Sequence, residues 1–355
     1  MRIGIPREVK EGERRVALTP GAVAMLVADG HTVEVAGGVG AAAGLADAGY
    51  REAGARIVEA FAAWEAELVV KVKEVQEVEL ARLRRGLAVF GFHQLGNDPA
   101  LTRALAARGI TAIAYEMVRT PDGRYPLLAP MSEIAGNLAI AVATATLGVA
   151  PRRVLVLGAG PAGIEAARVA AGGGARVTLL TRTRTTLERA RMSIGAPADV
   201  GLAAPDAVER HALEADLVVG AAAIAGEPTP KLLPRSLVAR MRRGAMIVDI
   251  AIDGGGVAET SRMTSHADPT YVEEGVIHYC VPNMPAADPA RATEALSGAV
   301  LPFVRELAGK GIARAVRENA ALANGVLLWQ GRATHREIAK RAGLAYTALS
   351  MLETA

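Results

Sequence analysis

The sequence predicts an α/β protein built from two doubly wound parallel sheets, with a first domain that is discontinuous in the chain. Short β-like runs alternate with helical stretches through the first half, and the same alternation starts again near Pro151. After Pro285 only helical patterns continue, and we expect these helices to return to the first domain. With 355 residues, 51% of them hydrophobic, the chain has enough apolar material for two cores.

The first half contains five β-like runs separated by helical stretches. They cover residues 2–5, 32–35, 68–73, 87–93 and 111–116. One helix between them is clearly signalled, because Thr19 is a good N-cap, Pro20 suits the first helical position and Gly30 follows as a stop. Strands joined through helices pair in parallel, so this half predicts one parallel sheet.

The second cycle has β-like runs at residues 154–157, 177–180, 217–220, 246–252 and 278–281. Helical patterns then cover residues 293–307 and 312–322 and recur near the C-terminus. These changes predict a first domain of residues 1–127, a second domain of residues 128–288, and C-terminal helices of residues 289–355 that complete the first domain.

The composition argues against several classes of partner. The 40 basic and 37 acidic residues are scattered and only 3% of residues are aromatic, which argues against nucleic acid. The longest apolar run, residues 138–150, is shorter than the ~20 residues of a membrane span, so we expect a buried helix and no membrane partner. Cys280 is the single cysteine, which argues against a zinc cluster and, with an N-terminus unlike a signal sequence, favours the cytoplasm.

A glycine-rich turn stands between the first strand and the first helix of the second cycle. The segment VLVLGAGPAG, residues 154–163, runs from a hydrophobic strand into the pattern G-x-G-x-x-G and then into a helix. Gly158 allows the tight turn, Gly160 lets the backbone approach a pyrophosphate, and Gly163 permits close packing of the helix on the strand. The motif therefore predicts a Rossmann-like domain that binds a dinucleotide.

Ligands of open α/β sheets lie beyond the carboxyl ends of the strands, so polar residues that end apolar runs are candidates for function. Lys73 and His93 end two runs of the first half, Lys71 shares a face with Lys73, Asp253 ends a run of the second half, and Arg15 precedes the first helix. An ammonium and a guanidinium can hold a carboxylate, and an imidazole or a carboxylate can move protons.

Each of these residues also has an ordinary structural explanation. A lysine or arginine at a strand end is commonly a solvated charge, a single histidine is commonly a hydrogen-bonded core group, and an aspartate before glycines is commonly a turn former. Their shared placement at strand ends, in a chain with a dinucleotide motif, favours function.

Six segments together resemble the alanine dehydrogenase family. They are MRIGIPRE from residue 1, RVALTP from 15, LVVKVKE from 68, LAPMSEIAG from 128, VDIAID from 248 and YCVPNMP from 279. The alpha subunit of proton-pumping transhydrogenase shares the fold and several motifs, but its pattern lacks the substrate lysine and histidine that appear here as Lys73 and His93. The resemblance therefore favours the dehydrogenase.

This resemblance implies a reaction and the residues that perform it. L-alanine, water and an oxidised nicotinamide dinucleotide would give pyruvate, ammonium and the reduced dinucleotide. Arg15 and Lys73 would bind the substrate carboxylate and carbonyl, His93 would be the acid and base, and Asp253 would be a second ionisable catalytic group. We also expect a homo-oligomer.

The same resemblance implies that four further residues line the nicotinamide side of the site. We assign Met131 to the substrate and Ser132, Asn283 and Met284 to the dinucleotide. The first domain is then the substrate and catalytic domain and the second is the dinucleotide-binding domain, which also contributes Met131 and Asp253.

Two departures from the family pattern leave other activities open. Residues 147–152 replace a longer glycine-rich insertion, and Gly254 stands where the family usually has glutamine, which would enlarge the pocket. These changes motivate an alternative function, an imine reductase or opine-type dehydrogenase that joins a keto acid to a larger amine. A transhydrogenase-like nucleotide-binding protein without catalysis is a further alternative, against which the four candidate residues together argue.

A third departure concerns the choice of dinucleotide. NAD sites of this architecture have an acidic residue about 20 positions after the glycine turn, where it binds the ribose 2′-hydroxyl. Here Thr181 stands at that point, followed by Arg182 and Arg184. An aspartate repels a 2′-phosphate, whereas a hydroxyl and guanidinium groups bind it. The sequence therefore favours NADP over NAD, and the alternative is that solvated arginines leave the enzyme indifferent.

Overall fold

The computed structural model describes residues 1–222 and 228–352. The chain divides into two compact units, of which the first comprises Met1–Pro130 and Asp288–Ala355 and the second comprises Met131–Ala287. The first unit is thus assembled from two separate stretches of chain. Among the described residues, no helix is long and apolar enough to cross a membrane.

The strands of the described residues form two sheets. They are β1 (Arg2–Ile5), β2 (Thr32–Ala36), β3 (Arg56–Val58), β4 (Leu68–Val70), β5 (Ala88–Gly91), β6 (Thr111–Ala114), β7 (Arg153–Leu157), β8 (Arg176–Thr181), β9 (Asp199–Leu202), β10 (Leu217–Gly220), β11 (Met246–Asp249), β12 (Thr270–Glu273), β13 (Val276–Tyr279), β14 (Val326–Trp329) and β15 (Arg332–Ala333).

Helices connect most of these strands. They are α1 (Pro20–Ala28), α2 (Asp47–Glu52), α3 (Pro99–Ala107), α4 (Ala129–Leu147), α5 (Pro161–Gly172), α6 (Arg184–Ser193), α7 (Pro205–Glu214), α8 (Arg235–Val238), α9 (Pro289–Lys310), α10 (Ile312–Glu318), α11 (Ala320–Gly325) and α12 (Arg336–Ala342). Short 3₁₀ turns follow two strands that matter below, at Tyr115–Met117 after β6 and at Ile250–Gly254 after β11.

The sheet of the first unit has the order β15-β14-β6-β5-β4-β1-β2-β3. From β3 to β6 every neighbouring pair is parallel, and only the hairpin β14–β15 runs antiparallel to its neighbours. The six parallel strands therefore follow the doubly wound order, in which the chain reverses direction across the sheet between β1 and β4.

The sheet of the second unit has the order β12-β13-β11-β10-β7-β8-β9. Its six parallel strands repeat the same doubly wound order, with the reversal between β7 and β10. The edge strand β12 pairs antiparallel with β13. Alternate residues of β7 enter two different cores, with Val154 and Val156 on one face and Leu155 and Leu157 on the other.

Three helices of the first unit start with the same device, a polar N-cap followed by proline. The Thr19 hydroxyl accepts the Ala22 N–H at the start of α1. Carboxylates do the same at α3 and α9, where Asp98 accepts the Leu101 N–H and Asp288 accepts an N–H of the first turn. The proline needs no hydrogen-bond partner at this position, so cap and proline together fix where each helix begins.

The structure corrects the sequence prediction at three places. The expectation that β structure stops after Pro285 is wrong, because β14 and β15 form a hairpin that extends the first sheet beside β6. Its turn, Gln330 and Gly331, has two positive φ angles, 49° and 85°. The strands predicted at 68–73, 87–93, 111–116 and 246–252 end two or three residues earlier. The helix predicted at residues 138–150 starts at Ala129 and ends at Leu147.

Candidate functional site

Polar side chains gather at one edge of the first unit's sheet, where β4, β5 and β6 end. Lys73 follows β4, His93 follows β5 and Glu116 follows β6, while Arg15 lies in the segment between β1 and α1. Because parallel strands end at the same edge of a sheet, the topology brings these residues to one side. Three of the predicted site residues, Arg15, Lys73 and His93, therefore share this edge.

The Lys73 ammonium is a buried cation. Lys73 is only 7% exposed, and among the described residues no carboxylate lies within ion-pair distance of its Nζ. Burial lowers the pKa of this ammonium, and the neighbouring positive charges of Arg15 and Lys10 lower it further. A bound anion would offset this unfavourable environment.

Lys71, two residues earlier, is paired instead. Its Nζ donates to Glu79 Oε2 at 2.8 Å and lies 3.6 Å from Glu8 Oε2. Burial by itself lowers the pKa of the Lys71 ammonium, but Glu8 and Glu79 more than reverse this and hold the pKa above its usual value. The Glu8 carboxylate also accepts the backbone N–H groups of Val72 and Lys73. The ion pairs of Lys71 and the hydrogen bonds of Glu8 thus fix the backbone segment that carries Lys73.

Arg15 is held in place by a neighbouring acid and by α9. Its Nε donates to Glu13 Oε1 at 2.7 Å and its Nη2 donates to Glu13 Oε2, and both side chains are buried. The Val16 N–H donates to Thr293 Oγ1 at 3.1 Å, which ties the segment to α9. These contacts fix the position of the Arg15 guanidinium, as is needed for a group that orients a small carboxylate.

His93 is fully enclosed, with 1% of the residue exposed. Its Nε2 lies 3.0 Å from the Val89 carbonyl oxygen, and its Nδ1 is a buried nitrogen without a hydrogen-bond partner among the described residues. Burial lowers the pKa of this imidazole to about 4, and the positive charge of Lys71 acts in the same direction. His93 is therefore neutral at physiological pH.

Glu116 completes this edge and was not singled out by the sequence analysis. Its Oε1 accepts the Gln94 N–H at 2.7 Å, and both carboxylate oxygens lie 3.2 Å from the backbone nitrogen of His93 and accept its N–H. Burial raises the pKa of Glu116, while these backbone N–H groups lower it. The rule that selected Lys73 and His93 would have found it, because Glu116 ends the apolar run 111–116.

The glycine turn of the second unit follows β7, where the strand order reverses. Gly158 has a φ of 112°, and a Cβ there would collide with the Ala221 carbonyl after β10. A Cβ at Gly163 would collide with the Gly158 carbonyl, so α5 packs directly on the turn. Gly160 is exposed, with no atom within 4 Å of the place a Cβ would take. This open cradle at the start of α5 fits a phosphate group.

The turn after β8 is closed by threonine hydroxyls. Thr181 Oγ1 lies 2.7 Å from Thr186 Oγ1, and Thr183 caps α6 through the Thr186 N–H. Arg182 and Arg184 are exposed on the two sides of this cap. Residues 181–187 contain no acid, so the turn offers hydroxyls and guanidinium groups only.

Asp253 is exposed on the 3₁₀ turn Ile250–Gly254, not at the end of the strand as predicted. The strand stops at Asp249, whose buried carboxylate accepts the Val257 N–H at 2.7 Å and the Ser261 hydroxyl at 2.6 Å. These bonds fold the loop back over the strand end, so Asp249 fixes the turn that carries Asp253.

The space beside Gly254 is occupied. A Cβ at this position would collide with the Thr229 hydroxyl, and the Thr229 N–H donates to the Gly254 carbonyl at 2.8 Å. The threonine thus fills the room that a larger side chain at position 254 would need. The enlarged pocket expected from the glycine is not found at this point.

The remaining predicted residues lie at the two ends of the second unit's sequence. Met131 is buried and Ser132 is half-buried in the first turn of α4. Asn283 is half-buried with a φ of 55°, and Met284 is buried in the core that contains Val154 and Val156.

Comparison with known proteins shows that the N-terminal and C-terminal parts of the chain match two models of the same family. The model described as "Alanine dehydrogenase/PNT, N-terminal domain" matches residues 4–135. The model described as "Alanine dehydrogenase/PNT, C-terminal domain" matches residues 131–336. The chain belongs to the alanine dehydrogenase/PNT family. The resemblance seen in the sequence is thereby confirmed, and the family uses a nicotinamide dinucleotide.

Individual members of the family match over nearly the whole chain. An alanine dehydrogenase of Halomonas elongata is 41% identical and covers 99% of this chain and 100% of its own length. A solved structure of an L-alanine dehydrogenase matches with a TM-score of 0.91 at 40% identity, over 96% of this chain and 99% of its own. These matches confirm the two doubly wound units.

A transhydrogenase from Sinorhizobium meliloti is a more distant match. Its TM-score is 0.82 at 24% identity, over 94% of this chain and 99% of its own. At this identity the likeness shows the fold alone.

Proposed function

We propose that this protein is an amino-acid dehydrogenase that interconverts L-alanine with pyruvate and ammonium, using a nicotinamide dinucleotide. The observation that carries the proposal is the pair of buried cations, Arg15 and Lys73, at the strand ends of the first unit. Arg15 disfavours the charged form of Lys73. A substrate carboxylate would relieve this repulsion and a neutral ligand would not. Similarity to alanine dehydrogenases over the full length supports alanine as the amino acid.

The first unit then supplies the groups that hold the substrate and accept its first proton, and the second unit supplies Asp253. Arg15 and Lys73 hold the carboxylate and the reacting carbonyl, which fixes the orientation of Cα for loss of hydride. Water attacks the imine that remains, and its proton needs a base. His93 is neutral and has a lone pair for this proton, and we assign Asp253 to a second proton transfer.

The second unit binds the dinucleotide, which accepts the hydride when it is bound. Gly158, Gly160 and Gly163, with the first N–H groups of α5, would hold its pyrophosphate in the open cradle of the glycine turn. By resemblance, the nicotinamide is lined by Ser132, Asn283 and Met284, with Met131 on the substrate side.

The substrate test follows reduced dinucleotide while pyruvate is supplied with ammonia or with bulkier primary amines. We expect ammonia to be used best. Faster turnover with a larger amine would favour an imine reductase or opine-type dehydrogenase. Dinucleotide binding without turnover of any substrate would favour a non-catalytic nucleotide-binding protein.

The residue roles are tested by His93→Ala and Asp253→Ala. Each substitution should lower kcat by about 10²- to 10⁴-fold, the usual cost of losing an acid or base. Circular dichroism and thermal melting serve as the folding controls. A variant that keeps a kcat near that of the unchanged protein removes its residue from the mechanism.

We further propose that NADP is used at least as well as NAD. Thr181 leaves the turn after β8 without an acid to repel a 2′-phosphate, and its hydroxyl is held by Thr186. Arg182 is the first candidate for the phosphate contact and Arg184 is the second, because both are exposed at the start of α6.

The cofactor proposal is tested by kcat/KM for the two dinucleotides. We expect the double substitution Thr181→Asp with Arg182→Ala to shift preference toward NAD, since a repulsive group is added as an attractive one is removed. Arg189→Ala is a matched control, because this exposed arginine lies later in α6. A tenfold or greater preference of the unchanged protein for NAD would contradict the proposal.

The enzyme is further proposed to act in the cytoplasm as a homo-oligomer. Its single cysteine is buried, which suits a reducing compartment. The exposed Val272 on the edge strand β12 is an apolar surface that a second copy could cover.

A further inference from the structure

Two adjacent strand ends of the first unit are joined through the Glu116 carboxylate. Glu116 lies in the turn after β6, whereas its hydrogen-bond donors, the N–H groups of His93 and Gln94, lie in the segment after β5. Glu116 is partly shielded from solvent, and each of its carboxylate oxygens accepts a backbone N–H of this segment. Glu116 therefore fixes the backbone at the point where His93 leaves the strand.

The backbone at this point has an unfavourable conformation. Gln94 has a φ of 48°, a left-handed value that is unfavourable for a residue with a side chain. The shortest of the Glu116 hydrogen bonds, 2.7 Å, comes from the Gln94 N–H. A charge-assisted hydrogen bond of this kind contributes enough to offset the cost of the left-handed turn.

The contacts of the His93 ring decide which of its two nitrogens carries the proton. The ring reaches back along its own strand, and Nε2 lies 3.0 Å from the Val89 carbonyl oxygen. A carbonyl only accepts hydrogen bonds, so Nε2 must carry the proton in this contact. Nδ1 then carries the lone pair, and it is the buried nitrogen without a partner among the described residues.

We propose that Glu116 is a positioning residue that holds the His93 turn, so that Nε2–H stays on the Val89 carbonyl and Nδ1 exchanges protons with the substrate. The proposal rests on the proposed function, because it takes His93 as the acid and base. It adds the reacting nitrogen, its tautomer and the carboxylate that sets both.

The proton steps balance with Nδ1 as the reacting atom. The substrate ammonium first loses one proton to solvent, which leaves a neutral amine. Loss of hydride from Cα to the dinucleotide then leaves an iminium carbon, a water oxygen bonds to that carbon, and one water proton passes to Nδ1. The imidazolium returns this proton to the amino nitrogen. The C–N bond then breaks with its electron pair on nitrogen, while the hydroxyl proton passes to Nδ1 and on to the released ammonia. Pyruvate and ammonium result, and His93 is again neutral.

The test uses Glu116→Gln and Glu116→Ala in the full-length enzyme. Glutamine keeps one acceptor oxygen for the Gln94 N–H and alanine keeps none, so we expect kcat to fall in the order unchanged enzyme, Gln, Ala. A misplaced catalytic group typically costs about 10²-fold, which is the expected loss for alanine. KM for the dinucleotide should stay within about twofold, because the glycine turn is not touched.

Nitrogen-15 NMR of labelled histidines reads the tautomer directly, and the His93 signals are identified by their loss in His93→Gln. We expect Nε2–H in the unchanged enzyme and a mixture of tautomers in Glu116→Ala. A pure Nδ1–H signal in the unchanged enzyme would overturn the proposal, whether or not either variant folds.

A matched control separates positioning from a general loss of stability. Asp216 Oδ2 also accepts two successive backbone N–H groups at the start of β7, those of Arg152 at 3.0 Å and Arg153 at 2.9 Å. Asp216→Asn should leave kcat and the His93 signals unchanged.

The positioning role of Glu116 and the catalytic role of His93 are separated by the kinetics of the two alanine variants. If His93→Ala is inactive but Glu116→Ala keeps full kcat, the positioning role is wrong and the proposed function stands. If His93→Ala is fully active, the role of His93 in the proposed function is wrong. A loss of kcat in Glu116→Ala with an unchanged tautomer would also reject positioning.

Discussion

The strand ends of the two units have the same topology and opposite chemistry. In the first sheet Arg15 and Lys73 follow β1 and β4, where the strand order reverses, and His93 follows the next strand, β5. In the second sheet the glycine turn follows β7 at the reversal, and the arginines follow the neighbouring strand β8. The candidate residues of the first unit are buried ionisable side chains. Those of the second unit are an open glycine turn and exposed arginines.

The difference teaches how one fold serves two ligands of unlike size. A small amino acid offers few contacts, so its recognition depends on charges that are strong because water is excluded. A dinucleotide is large, and its phosphates are held by backbone N–H groups that need space rather than burial. Substitutions should therefore act through charge at the strand ends of the first unit and through shape at the glycine turn of the second.

The largest expected effect separates Lys73 from Lys71. Lys73→Met should lower kcat/KM for pyruvate by about 10²- to 10³-fold, since the substrate carboxylate loses one buried cation. Stability should be unchanged or slightly higher, because an unpaired buried charge is removed. Lys71→Met should instead destabilise the fold by about 3–5 kcal/mol, because Glu79 and Glu8 lose their partner.

Steady-state kinetics and urea unfolding of both variants measure this contrast. The affinity for the dinucleotide should be retained in Lys73→Met. Equal weakening of both ligands by Lys73→Met, or equal loss of stability in the two variants, would show that the two lysines do not differ as their surroundings indicate.

The second prediction concerns acid stability and the enclosed imidazole. His93 has a pKa of about 4 in the folded protein and a usual value of 6.5, so below that value the unfolded chain binds a proton that the folded chain does not. Stability contributed by the neutral His93 is therefore lost as the pH falls from 6.5 toward 4. The difference corresponds to about 3 kcal/mol.

His93→Gln should lack this pH-dependent part of the unfolding free energy. Between about pH 7 and about pH 4 the unchanged protein should lose about 3 kcal/mol more unfolding free energy than the variant. Both tryptophans, Trp64 and Trp329, are buried in the first unit, so their fluorescence follows the unfolding of that unit. Parallel pH curves for the two proteins would show that His93 is not shielded from water.

Much of the fold could be predicted from the sequence because local signals and tertiary structure agree. The apolar runs of the second cycle, the glycine turn and the capped helix at Pro20 have short-range causes that the structure repeats. The hairpin of β14 and β15 could not be predicted in this way. Its strands are four and two residues long, and they are stabilised by pairing with β6, which is distant in the sequence.

The candidate site could be predicted only in part. Strand-end position pointed to Lys73 and His93, but the same pattern places Lys71 on the same face. What distinguishes the two lysines is Glu79 and Glu8, which reach Lys71 from a later turn and from the segment after β1. Such pairings depend on tertiary packing. Glu116, by contrast, carried a signal in the sequence and was overlooked.

The smallest predicted effect tests whether shape governs the second unit. A methyl group at Gly160 would touch no protein atom, and its φ of −77° is ordinary for any residue. Gly160→Ala should therefore change stability by less than about 0.5 kcal/mol. It should still weaken dinucleotide binding by about tenfold, since the methyl group would stand where the backbone approaches the pyrophosphate.

Gly163→Ala is the matched comparison, because its methyl group would meet the Gly158 carbonyl. It should destabilise the second unit by about 1–3 kcal/mol through overpacking. Isothermal titration with the dinucleotide and thermal melting of both variants give the four quantities needed. If Gly160→Ala bound the dinucleotide as tightly as the unchanged protein, the phosphates would not lie against this turn. The glycine turn would then not be a site that depends on shape, and only the charge-based site of the first unit would remain supported.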